Sequence, residues 1–178
     1  YKTWKKEYGY LKNKKRIFNE DKLDYILKSL KSLVVTINSF NKKYPNFKIN
    51  LTLIDQSNSE TVNQKFNKIL SKLNFKTNLI PFDKNEFKNE INLDYNKDVF
   101  GNLSSLLKCF KVGKENKDDV VLFLEDDYLH KETMIEEMVM TYERISSQLK
   151  KELIIVPSDY PYLYMKERHT NILAGSHR

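Results

Sequence analysis

Three acids in a row, Glu125-Asp126-Asp127, follow directly on the five apolar residues Val120–Leu124. Carboxylates this close repel one another, and nothing in Val-Val-Leu-Phe-Leu compensates them. A divalent cation removes the conflict. Hard oxygen ligands suit Mg2+ or Mn2+, which would bridge to the oxygens of a diphosphate. The competing reading is that the acids cap a helix that follows them. A further carboxylate, Asp55, closes the alternating stretch Phe47, Ile49, Leu51, Leu53 and opens into Gln56-Ser57-Asn58-Ser59. There it serves a ligand, or else an Asx-turn or helix cap. Ligands of open α/β sheets bind beyond the carboxyl ends of the strands, which is where both sets of acids fall in the sequence.

The elements that would carry these residues alternate. Asn19-Glu20-Asp21 has the chemistry of a helix start. Leu23, Ile26, Leu27, Leu30, Leu33, Val34, Ile37 and Phe40 then trace one helical face up to Tyr44-Pro45. A strand runs from Phe47 to Asp55, and a second helix carries Val62, Phe66, Ile69, Leu70 and Leu73. Lys76–Ile80 reads as a short strand stopped by Pro81, and residues 82–100 as a long polar loop. Gly101-Asn102 opens a third helix with Leu103, Leu106, Leu107 and Phe110 inward, Cys109 in the core and Gly113 just past its end. Val120–Leu124 is a buried strand by composition. A fourth helix spans about 131–149, with Met134, Met138, Tyr142, Ile145 and Leu149 as its core stripe, and Leu153–Val156 is a last strand. This order predicts an α/β layer structure with a largely parallel sheet covered on both faces. The 178 residues read as a single domain cut at both ends, with the first strand reduced to Tyr1–Trp4.

Composition narrows the chemistry. Four glycines are too few for a glycine-rich phosphate loop of either common type, so phosphate must be held another way. The single Cys109 builds neither a disulfide framework nor a thiolate zinc site, which suits a reducing compartment. A hydrophobic fraction of 40% is too rich for disorder, and the apolar runs are far too short to span a membrane. The net charge of +7 is local: residues 1–48 carry 13 Lys and Arg against 4 acids, and the remainder is slightly acidic.

These residues resemble a family. Leu53-Ile54-Asp55-Gln56-Ser57-Asn58-Ser59 is similar to the strand, Asp and small-polar turn that follow the first helix of nucleotide-sugar glycosyltransferases of the GT-A fold, and Val120–Asp127 resembles their Asp-x-Asp element. Gly101-Asn102-Leu103-Ser104 sits where that family starts a helix with glycine and asparagine. The resemblance covers about residues 19–160 and is closest to the family 2-like transferases. It implies a three-layer, Rossmann-like α/β/α sandwich with a mostly parallel central sheet. It also implies transfer of a sugar from a nucleoside-diphosphate sugar, with Mn2+ or Mg2+, to a glycan, lipid-linked or protein acceptor. On this pattern Asp55, with Gln56 and Ser57, holds the nucleoside. Asp127 binds the metal, Glu125 faces the ribose or a metal-bound water, and Asp126 stands behind them. The remnant Lys2-Thr3-Trp4 keeps Thr3 against the nucleotide. Asp159, in Pro157-Ser158-Asp159-Tyr160-Pro161, is the candidate general base for an acceptor hydroxyl. His177 is a candidate late metal ligand, and Tyr160, Tyr162 and Tyr164 could stack on sugars. The sequence departs from the pattern in writing Asp-Gln for Asp-Asp and in starting the metal element with Glu.

Other classes compete. The basic, aromatic first quarter suits a nucleic-acid-binding module, although no module motif accompanies it. It equally suits peripheral contact with anionic lipid, placing a cytoplasmic transferase at the inner face of the membrane. A metal-dependent phosphotransferase or nuclease could use the acids, and a transferase relic without activity is a further alternative. A sugar nucleotidyltransferase would need the glycine-rich loop that is missing.

Overall fold

The computed structural model describes residues 21–56, 59–75, 77–92, 99–116 and 119–156. These form four α-helices and a two-stranded parallel sheet: α1 (Lys22–Lys43), β1 (Leu51–Asp55), α2 (Glu60–Leu70), β2 (Thr77–Pro81), α3 (Phe100–Glu115) and α4 (Met134–Leu149). A 3-10 turn, Lys84–Phe87, lies between β2 and α3. The described residues fall into two compact units, with the chain passing between them after residues 34, 47 and 129. No described helix is long and apolar enough to cross a membrane.

In the first unit β1 and β2 pair in parallel from Leu51 opposite Thr77 to Asp55 opposite Pro81. Parallel strands require a crossover, and α2 supplies it, burying Val62, Phe66, Ile69 and Leu70. Pro81 ends β2 where its missing N–H costs nothing. The ladder is carried one step further by Phe82, whose N–H donates to the Asp55 carbonyl at 3.0 Å.

The stretch after β2 is not the featureless loop that its polarity predicts. Phe82, Phe87 and Ile91 are buried and cluster with Phe100, and Ile54, Leu103 and Leu107 pack against them. A capping box holds the turn: Asp83 accepts from the Asn85 N–H at 2.9 Å, and the Asp83 N–H donates to Glu86 at 3.2 Å. The Asn85 N–H, and after it the Asn85 side-chain amide, which also donates to Asp83 at 2.9 Å, hold the Asp83 carboxyl below its ordinary pKa. Fully buried Ser104 donates to the Phe100 carbonyl at 2.7 Å and lies 3.3 Å from the Lys84 carbonyl. The turn and α3 thereby meet at a polar pin inside an apolar cluster.

Several sequence expectations need correction. Val120–Leu124 belongs to no strand, because no described strand pairs with it. Its side chains stand 37% to 70% exposed rather than buried. Leu153–Val156 likewise joins no sheet, and Ile154 is 96% exposed. Phe47 is not strand but packs edge-on against Phe40 at 5.3 Å, where it closes the end of α1. Gly113 lies inside α3, not beyond it, while Leu106 and Phe110 of that helix are half-exposed. The sheet has two described strands, so a three-layer sandwich is not built from the described residues.

The second unit shows why a helix face read from periodicity can miss its anchor. Met134 and Met138 are only half-buried and Leu149 is exposed; Ile135, off the expected stripe, is the buried residue of α4. The cap residue Thr133 spends its hydroxyl on Glu137 at 2.7 Å and caps nothing. An orphan donor of the first turn, the Ile135 N–H, goes instead to Oγ1 of fully buried Thr36 on α1, at 3.3 Å. Nearby, Lys43 and Tyr44 both donate to Glu136, which holds that carboxyl below its usual range. Thr36→Val keeps the volume but strands the Ile135 N–H, so it should cost about 1–3 kcal/mol in urea unfolding. Thr36→Ser should largely restore it, and equal losses for the two variants would remove the hydroxyl from the account.

Candidate functional site

Asp55 is the last residue of β1, so the parallel pairing presents it at the carboxyl edge of the sheet. Its backbone is fixed by Phe82, and the residue before it, Ile54, is held by the apolar cluster. The next residue, Gln56, is partly buried, and its Nε2 is enclosed with no hydrogen-bond partner among the described residues. An enclosed amide donor of this kind calls for an acceptor.

The acids 125–127 reach their positions differently. No sheet holds the segment before them; it leans on α3. Phe123 lies edge-on to Phe110, with ring centres 5.1 Å apart. The Phe123 ring also fills the notch at Gly113, where an added Cβ would stand 2.7 Å from Cζ. Asp126 and Asp127 form a turn. Lys22, at the start of α1, pairs with Asp126 at 3.5 Å, so one of the three charges has a cationic partner that the sequence did not suggest. The Asp126 side chain is 48% exposed. Desolvation by its surroundings nonetheless pushes its carboxyl above the ordinary value, Asp127 adds to this, and Lys22 opposes it. The acids do not cap α4 either, since that helix starts at Met134.

Among the described residues no group of three or more His, Cys, Asp and Glu side chains gathers as a metal site. Glu125, Asp126, Asp127 and Asp55 therefore do not form a self-sufficient cage. Their chemistry still fits a hard cation of the kind that takes one or two carboxylates and completes its shell with water and substrate phosphates. Ser57, Thr3, Asp159 and His177, the tyrosines 160, 162 and 164, and the basic segment at 12–16 lie outside the described residues. Cys109 is half-buried, and burial pushes its thiol up, away from reactivity. Two shallow cavities lie elsewhere. One, of about 430 Å³, runs along Lys43, Glu136, Met140 and Arg144. The other, of about 340 Å³, lies along Phe87, Lys108, Lys111 and Glu115.

What the sequence reading missed are supports rather than ligands: Lys22, Phe82 and the notch at Gly113. In the sequence Gly113 has the look of a helix end rather than of a notch, and Phe82 stands in plain view with no period to place it. Comparison with protein-family models, with curated proteins and with solved structures finds no match.

Two measurements test these supports. Gly113→Ala should stabilise a Phe123→Ala background by about 1 kcal/mol through helix propensity. It should stabilise the wild-type background measurably less, because there the ring must move; equal gains would take Phe123 out of the notch. Lys22→Met should raise the titration midpoint of Asp126 further, read from its carboxyl carbon shift. Since the raised midpoint lets the folded chain keep a proton that the unfolded chain has lost, stability falls as pH rises from the ordinary carboxylate range to that midpoint. In Lys22→Met the fall should extend to higher pH, and an unmoved midpoint would dissolve the pair.

Proposed function

We propose that this chain is a metal-dependent glycosyltransferase domain of the GT-A type, moving a sugar from a nucleoside-diphosphate sugar to a glycan, lipid-linked or protein acceptor. The observation that carries this reading is the parallel β1–α2–β2 unit with Asp55-Gln56 at its carboxyl edge, followed along the chain by an apolar run and three acids. Asp55 and Ser57 would hold the nucleoside, and the enclosed Nε2 of Gln56 would donate to one of its acceptors. Thr3 would add a contact.

Asp127 and Glu125 would hold Mn2+ or Mg2+ between them and the diphosphate. The cation would supply neutralising charge for the departing nucleoside diphosphate. Asp126, already paired with Lys22, would stay behind the other two and keep the turn in place. Asp159 would take the proton of the acceptor hydroxyl. A cytoplasmic enzyme resting its basic first quarter on anionic lipid is the setting that the charge distribution favours.

With two protein carboxylates, Mn2+ should bind the protein weakly alone and more tightly once a nucleoside diphosphate is present, as measured by titration calorimetry. Metal-dependent hydrolysis across a panel of nucleoside-diphosphate sugars should fall on the order of 100-fold or more in Asp127→Asn, because a cation at developing charge is worth several kcal/mol. Unchanged hydrolysis would remove Asp127 from the site. Salt-steep DNA binding that disappears when Lys12, Lys14 and Lys15 are neutralised would favour the nucleic-acid reading instead.

A further inference from the structure

We draw no further inference here: the strongest candidate, the exposed apolar run Val120–Leu124 between α3 and the acidic turn, whose backbone joins no described sheet, carries nothing because nothing in the structure shows what covers it.

Discussion

The parallel pairing of β1 with β2 is the constraint from which the first unit follows. Parallel strands cannot be joined by a hairpin, so α2 must cross over and bury its apolar stripe. Both strands then end at one edge, and the chain leaving β2 must turn there. It does so with Phe82, whose backbone bonds Asp55 and whose ring enters the cluster with Phe87, Ile91 and Phe100. Each of those buried side chains contributes about 1.5–3 kcal/mol. The surrounding pairs Lys108–Glu86 and Lys111–Glu90 are partly exposed, so solvent screens them and they add little. Apolar packing therefore sets where Asp55 stands, and the ion pairs trim the surface around it.

Helices α1 and α2 were legible because long periodic stretches with proline or polar breaks leave few alternatives. Val34, Ile37 and Phe40 are buried as their spacing required. The carboxyl-edge position of Asp55 was legible for a related reason: alternation ended at that residue. Val120–Leu124 was not legible, because an apolar run states an affinity for burial without naming a partner. Composition promised a strand; with no described strand to bond its backbone, the run leans on α3, where Phe123 meets Phe110 and Val121 lies beside Gly113. The turn at Lys84–Phe87 escaped notice because one 3-10 turn is too short to show a period, although Phe82, Phe87 and Ile91 were in plain view.

The acids show how a local argument can be half right. Repulsion acts between Asp126 and Asp127, since after burial it is Asp127 that helps to raise the Asp126 carboxyl. The apolar run before them offers no compensation; the cation that pairs with Asp126 is Lys22, a residue far away in sequence whose approach only the fold could reveal. In the proposed site a cation would rest on Glu125 and Asp127 and would need oxygens from a substrate to complete its shell.

The exposed run Val120–Leu124 has a consequence for how the protein behaves in concentrated solution. Five consecutive β-branched, leucine and phenylalanine residues without proline or glycine have the makings of a cross-β template, and such a template recruits its own copies. Here it is bracketed by Asp119 on one side and Glu125, Asp126 and Asp127 on the other. Two copies stacked in register would bring like charges together at both ends of every strand, the arrangement by which gatekeeper residues keep sticky segments apart. The carboxylates that suit a cation thus also act as a barrier to self-assembly, and the barrier weakens as they take up protons.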